Sequence, residues 1–410
     1  MATAAIIFAL TYLVIGLQGI PRLKLGRPAG ACLGAVAMVA FGVISFDDAL
    51  GAIDLDTILF LLGMMIVLAH LELSGFFEVL QRNILGYARS PRHLLVLIIA
   101  SSGLLSAFFM NDTVCLLLTP VIVRVARRLD LPPVPYLIAL ATGANIGSST
   151  SIVGNPQNAL IAVRSGIGLV PFARALWPVA ALGLLLDALL LSWIFRRRIT
   201  ARRLTVPPPR QPLKTKRLML AAGIAAGAGM VIGLALGARP AAAAMTAGAA
   251  VILAGSTGHG RPLQRVDWDL LLFFGGLFVV MRGVEGAGLA DLLVVKVAGP
   301  LREGGRFVLP RLGLAVTLLS QAVSNVPAVM LFVAPIKALA PEAARTLWLG
   351  LASFSTLAGN LTVIGSVANV IVFETAKRDG VEVGFGEYLE VGIPLTLGTF
   401  GIAWAALLLR

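Results

Sequence analysis

Long apolar runs, separated by short and mostly basic loops, occupy nearly the whole chain. In hydrocarbon, backbone amides and carbonyls must be satisfied within the protein, which leaves helices or closed barrels as spanning structures. Runs near the length of about 20 residues that a spanning helix needs select helices. Composition agrees. Of 410 residues, 58% are hydrophobic and 13% charged, against roughly 25% charged in a soluble domain. The net charge of +13 would suggest nucleic acid in a soluble protein. Here the basic residues lie in loops, where they orient the helices. Cys32 and Cys115 fall inside apolar runs and read as packing residues rather than a disulfide. The first run has no basic leader and no small-residue cleavage site, and reads as a retained helix.

The runs do not all span. Residues 94–108 and 114–125 are each too short to cross comfortably, and they meet at Phe109, Met110, Asn111, Asp112 and Thr113. An acid at membrane depth costs at least about 2.5 kcal/mol and is a functional candidate by default. A helical hairpin that enters the membrane and turns back is expected here. Spans are expected at 4–20, 29–46 and 57–73 before it, and at 136–163 and 176–195 after it. Asn145, Ser148, Ser149, Thr150 and Ser151, then Gly154, Asn155 and Pro156, interrupt the span at 136–163. A linker at 196–217 follows, rich in arginine, with Pro207, Pro208 and Pro209 and no acid. Its prolines forbid a regular helix, and its charge places it in the cytoplasm.

The second half repeats the plan. Spans are expected at 218–236, 241–254, 270–284 and 389–409, with an interrupted span at 346–375. A second hairpin, 312–323 and 328–339, is joined at Ser324, Asn325, Val326 and Pro327. The repeat is visible in letters. Asp54, Asp56, Gly63, Glu72 and Gly75 recur at one constant offset as Asp267, Asp269, Gly276, Glu285 and Gly288. Asn111 pairs with Asn325, and residues 154–158 with 365–369. An odd number of crossings per copy inserts the second copy upside down. The expected organisation is 1–195 as first inverted repeat, 196–217 as cytoplasmic linker and 218–410 as second inverted repeat. Both termini are then external. Lys296, Arg302, Arg306 and Arg311 run against the charge rule in this arrangement, and the central linker outweighs them.

Unwound segments at this depth point to transport. A broken helix bares amides at one end and carbonyls at the other, each end carrying about half a unit charge. Amide ends suit an anion or polar oxygen, and carbonyl ends suit Na⁺. Inverted repeats with discontinuous helices are the architecture of secondary transporters. The candidate substrate-binding residues are Asn111, Thr113, Ser149, Thr150, Asn155, Ser324, Asn325, Thr362 and Ser366. Asn158, Asn360 and Asn369 lie in the same segments. A lone Ser or Thr often serves helix packing alone. Two Asn-bearing joints at equivalent places say more.

The ion-coupling candidates are Asp112, Asn111, Gly154, Asn325 and Gly365. A buried carboxyl at Asp112 could exchange a proton during transport; its plainer role is to cap the helix that follows. Asp187, within 176–195, is a second acid whose plainer role is an inter-helix bond. Arg282 beside Glu285 suggests an ion pair. No metal site and no enzyme are expected. His-Glu-x-x-His, Gly-x-Ser-x-Gly and Walker A motifs are absent, and His70, His93 and His259 are scattered.

At these residues the chain resembles the ion transporter superfamily, which includes divalent anion symporters, citrate permeases, arsenite efflux permeases and the pigmentation P-protein group. The resemblance covers nearly the whole chain. It is carried by Asn111-Asp112-Thr113, Ser324-Asn325-Val326, Gly154-Asn155-Pro156-Gln157-Asn158 and Gly365-Ser366-Val367-Ala368-Asn369. It implies a scaffold domain, usually holding a dimer interface, and a transport domain that moves as an elevator. Dicarboxylate members show Ser-Asn-Thr at both tips, unlike this chain. An ionised Asp about 5 Å from a carboxylate costs about 3 kcal/mol at an effective dielectric near 20, which disfavours a dianion unless Asp112 is protonated or paired. The Asn-Asp tip followed by Thr119-Pro120, and the late Ile364-Gly365-Ser366, are closer to the arsenite permeases. The stretch from Gly154 to Asn158 is less typical of that branch.

The expected fold is an all-α polytopic membrane protein. It comprises two inverted repeats of five transmembrane spans plus one re-entrant helical hairpin each, with broken helices, in elevator-type scaffold and transport domains. The expected function is a secondary active transporter of a bacterial or archaeal inner membrane, exporting arsenite or antimonite in exchange for protons. It needs no cofactor beyond H⁺ or Na⁺ as coupling ion. A Na⁺- or H⁺-coupled carboxylate or inorganic anion transporter is the second reading. A passive channel subunit of an ATPase-driven pump is the third. The implied partners are a homodimer mate, a soluble ATPase and the lipid bilayer, with no role for nucleic acid.

Overall fold

The computed structural model describes residues 1–16, 26–199, 204, 215–255, 261–289, 307–339 and 341–409. Among these residues every regular element is a helix, and five helices are long and apolar enough to cross a membrane. One group packs α1 (Ala2–Gly16), α2 (Arg27–Ala40), the short α3 (Phe46–Ala52) and α4 (Leu55–Ser74) with three later helices. Those are α11 (Arg217–Ala235), α12 (Pro240–Gly255) and α13 (Trp268–Gly286). A second group combines α6 (Pro91–Phe108), α7 (Asn111–Arg128), α8 (Pro133–Ser148), α9 (Pro156–Ser165) and α10 (Leu169–Ile194) with a later set. That set is α14 (Val308–Val323), α15 (Asn325–Lys337), α16 (Pro341–Ala358), α17 (Val367–Arg378) and α18 (Phe385–Leu408). Between the groups along the chain, α5 (Phe76–Tyr87) touches α4, α6 and α7.

The two halves start and pack alike. Asp54 accepts from the Thr57 amide and Asp267 from the Leu270 amide, both at 3.0 Å, so α4 and α13 carry the same side-chain cap. A Cβ on Gly63 would stand 2.3 Å from the Ala244 backbone of α12, and one on Gly276 would stand 2.7 Å from the Ala31 backbone of α2. Small residues allow this backbone approach where lipid supplies no hydrophobic drive between helices. Each contact is the other displaced by the offset that relates the two sequence halves.

The helix that carries the first break is buried along nearly its whole length. Every residue of α8 from Pro135 to Ser148 is buried. Its approach to α6 depends on glycine, since a Cβ on Gly147 would lie 2.0 Å from the Gly103 carbonyl oxygen. After Ser148 the chain unwinds and restarts at Pro156, where proline needs no amide partner and Asn155 caps Asn158. In the second half α16 stops at Ala358, a short turn covers Val363–Gly365, and α17 restarts at Val367.

Several expectations shift. The arm expected at 94–108 begins at Pro91, because Ser90 caps the His93 amide and proline suits the first helical position. The span expected from 176 begins at Leu169, since Pro171 falls in the first turn and Pro178 is tolerated inside the helix. The amphipathic α5 is absent from the sequence reading. It is short and polar, with Glu78, Gln81 and Arg82, and carries no spanning signal. The end of the first expected span, most of the linker, His259, Lys296, Arg302 and Arg306 lie outside the described residues.

The α6–α8 contact generates a stability prediction. Gly147→Ala must displace backbone, so it should lower stability by about 1–3 kcal/mol, as overpacking does. Gly229→Ala, inside α11 and meeting nothing within 4 Å, should instead raise the thermal midpoint of the detergent-purified protein slightly, by about 0.5–1 kcal/mol of stability.

Candidate functional site

One hydrogen-bond network joins the two hairpin tips and the two helix breaks. Asn145, in the last turn of α8, is its hub. Its Oδ1 accepts from Asn111 Nδ2 and from the Ser366 hydroxyl, each at 3.0 Å. Its Nδ2 lies 2.9 Å from Oδ1 of both Asn360 and Asn369. A single side chain therefore ties the first tip to the second break. In the other direction Asn155 Nδ2 donates to Thr356 Oγ1 at 3.2 Å.

The remaining contacts come in matched pairs. Asn158 donates to the carbonyls of Ser148 and Ser151 at 3.1 and 3.0 Å. Asn369 donates to those of Gly359 and Thr362 at 2.7 and 3.0 Å. The Asn111 amide N–H donates to the Gly154 carbonyl at 2.9 Å. The Asn325 side-chain amide, turned to satisfy its neighbours, donates to the Gly365 carbonyl at 3.1 Å and to that of Ser355 at 3.2 Å. Carbonyls released where a helix breaks are thus answered by asparagine amides, as buried backbone groups require. Gly154 is needed here, because a Cβ on it would come within 2.4 Å of the Ser148 carbonyl oxygen.

Exposure divides the candidate residues. Asn145, Asn155, Asn158, Asn360 and Asn369 are at most 1% exposed, while Asp112, Thr113, Thr150, Ser324 and Thr362 are half-buried. The first set braces the breaks, and the second offers polar groups at the edge of that brace. Ser149 is buried and its hydroxyl returns to the Ile146 carbonyl in its own helix. Thr362 donates to Gln321 at 2.7 Å, and Gln321 donates to the Ala358 carbonyl at 2.9 Å.

Asp112 is not the cap of α7. Met110 holds that position without a side-chain bond, and Asp112 sits inside the first turn, because the helix starts at Asn111. Its own amide donates to Asn111 Oδ1 at 3.0 Å. The charged groups within its electrostatic reach are Asp267 and Arg27, from the starts of α13 and α2. The amino ends of α7 and α15 open at the tips, which favours negative charge or a polar oxygen there.

Gln321, Thr356, Tyr388 and Arg27 escaped the sequence reading. Tyr388 receives an Asn369 hydrogen bond at 2.9 Å. Gln321 carried a signal, as a polar side chain one turn before a tip. The other three are brought in by distant packing alone. An apolar cavity of about 490 Å³ lies beside the first tip, between Phe108, Phe109 and Met110 on one side and Met64, Leu71 and Gly227 on the other. The suspected pair Arg282–Glu285 stands at 3.9 Å.

The profile of the citrate transporter (CitMHS) family matches residues 6–353. The silicon efflux transporter LSI3 of rice is 30% identical over 96% of this chain and 94% of its own length. The putative transporter arsB of Dictyostelium discoideum is 26% identical over 92% of this chain and 86% of its own. Among solved structures, the YdaH transporter of Alcanivorax borkumensis, described as having an unusual topology, superposes with a TM-score of 0.58. It covers 99% of this chain and 96% of its own at 17% identity.

Ser324 supplies the prediction. Its φ of +75° and ψ of 165° lie in a region that is essentially glycine-only and costs about 1–3 kcal/mol. Ser324→Gly should raise stability by about 1 kcal/mol after glycine's own entropic cost, while slowing transport through loss of the tip hydroxyl. Thermal unfolding and vesicle uptake measure the two effects separately.

Proposed function

We propose that this chain, which belongs to the citrate transporter family and is a multi-pass membrane transporter, exports a small neutral oxy-acid of the arsenite or antimonite type in exchange for protons. The observation that carries this reading is the chemistry of the joined tips and breaks. Amides and hydroxyls dominate, and Asp112 has one further acid, Asp267, and one base, Arg27, within its electrostatic reach, so that two acids face a single base, a balance that repels a carboxylate-rich anion. An undissociated oxy-acid presents only hydroxyls, which both donate to and accept from such groups. Relatives named for silicon efflux and as arsB carry the same leaning, since silicic acid is also a neutral hydroxylated species.

Protons are favoured over Na⁺ by where the amides point. The carbonyls of Gly154 and Gly365, the natural oxygen ligands for a cation, accept from Asn111 and Asn325. Na⁺ would have to displace those donors. Asp112, half-buried at the tip, is the group we assign to proton exchange. The two helix groups act as scaffold and transport domains of inverted repeats in this reading. Arg164 of α9 pairs with Asp54 at the start of α4, across the two groups, at 2.8 Å, and an apolar cavity separates the first tip from α4 and α11. Few polar ties have to break for one group to slide past the other.

Reconstitution tests this. Proteoliposomes should move arsenite, antimonite or silicic acid under an imposed pH gradient, without ATP, and ignore citrate and a Na⁺ gradient. Citrate uptake driven by Na⁺ would replace the reading by the anion-symporter alternative. Movement indifferent to both gradients would favour a passive subunit. Asp112→Asn should reduce pH-driven flux to background while leaving the protein folded.

A further inference from the structure

We propose that Asp187 is a second proton-binding site, holding an exchangeable proton on its carboxyl and donating it to Thr142 of α8. Asp187 lies in α10 and is fully buried. Its Oδ2 is 2.9 Å from Thr142 Oγ1, and its Oδ1 has no partner. The Thr142 hydroxyl is also 2.9 Å from the Ile138 carbonyl. One hydroxyl hydrogen cannot serve both contacts. A proton on Asp187 resolves the conflict: the acid donates to Thr142, and Thr142 donates to Ile138. An ionised Asp187 would keep one donor and a bare Oδ1 in a dry place, the costliest arrangement for a buried charge.

No base offsets such a charge among the described residues. The titratable group whose field includes Asp187 is the Tyr388 hydroxyl on α18. The other acids and bases of the helices packed on α10 stand near helix ends: Arg92 and His93 of α6, Arg196 and Arg197 of the short turn that follows α10, Arg217 of α11, Arg345 of α16, and Glu387 and Glu390 of α18. Tyr136 of α8 is engaged with the Pro91 carbonyl, and Arg174 lies in the early part of α10 itself. The buried face of α18 around Leu395, Thr396, Thr399 and Ala403 carries no charged group. Gly183 and Leu186 of α10 lie against Thr399 and Gly398. Thr396, one turn from Thr399, has a hydroxyl without a partner.

Position gives the site its role. Thr142 and Asn145 are three residues apart on one helix, hence on one face. The proton is therefore held one turn from the hub that ties the first tip to the second break. Losing it would reverse the α8–α10 bond, draw the Thr142 hydroxyl hydrogen away from the Ile138 carbonyl and charge the dry side of the helix that carries Asn145. Proton occupancy stands independently of the proposed exchange; only its use in coupling rests on that reading.

Infrared spectroscopy of the purified full-length protein decides it. The expected result is a protonated-carboxyl stretch that shifts on transfer to D₂O. It should disappear in Asp187→Asn and persist in Asp112→Asn. If Asp187→Asn does not fold, Thr142→Val carries the test, and the stretch should move as the hydrogen bond is lost. A spectrum identical in wild type and Asp187→Asn would overturn the proposal. So would a Thr142→Val band at the wild-type frequency, a band that refuses deuterium, or one abolished by Na⁺ at fixed pH. Failure of pH-driven transport with the band intact would sink the proposed function and leave this site standing.

Discussion

Interrupting a helix inside a hydrocarbon layer strands carbonyls that water cannot reach, and the rest of this structure depends on how they are answered. The answer is asparagine. Asn158 and Asn369 each reach back across a break to two carbonyls, and Asn111 and Asn325 each bond the glycine carbonyl that precedes the restarted helix. An asparagine amide suits this task because it supplies two donors and an acceptor without charge. The acceptors are then used to bind the halves together, with Asn145 receiving both Asn111 and Ser366.

That bracing explains why the glycines matter where they do. The polar segments can sit side by side only if backbones approach closely. The Gly147–Gly103 and Gly154–Ser148 approaches leave no room for a methyl group. Rigid packing around α8 places Asn145 where one residue of the first tip and three of the second break reach it. The half-buried Asp112, Thr113 and Ser324 then stand at the margin of a fixed frame, where a solute can meet polar atoms without dismantling the frame.

The sequence made the tips and breaks legible because Asn, Gly and Pro inside apolar runs have no other easy explanation. Asn111, Asn155, Asn325 and Ser366 are all found in one network for that reason. It did not reveal which amides brace and which face outward, since that division depends on burial and not on residue type. Asp112 as a cap failed because α7 begins at Asn111, a shift of the kind that local sequence does not fix. Arg27 near Asp112 and Tyr388 beside Asn369 arise from helices far apart in the chain. No periodicity encodes such neighbours. The polar α5 carried no membrane signal at all.

Where the matched pairs fail is as informative as where they hold. Asn155 reaching Thr356 and Ser366 reaching Asn145 are counterparts, so such contacts suit a frame built twice. Asp112 has no counterpart acid, because the second tip continues Asn325-Val326-Pro327. Asp187 likewise is paired with a threonine, Thr142 of α8, rather than with a second acid. A charge-bearing group repeated at both ends of a proton path would give two equal resting places and no preferred order. One acid at the margin and one buried a turn from the hub differ in access instead. Under the proposed proton exchange, that difference in access links protonation at one to movement at the other. The symmetric amides supply the frame, and in the proposed exchange the unsymmetric carboxyls give it a direction.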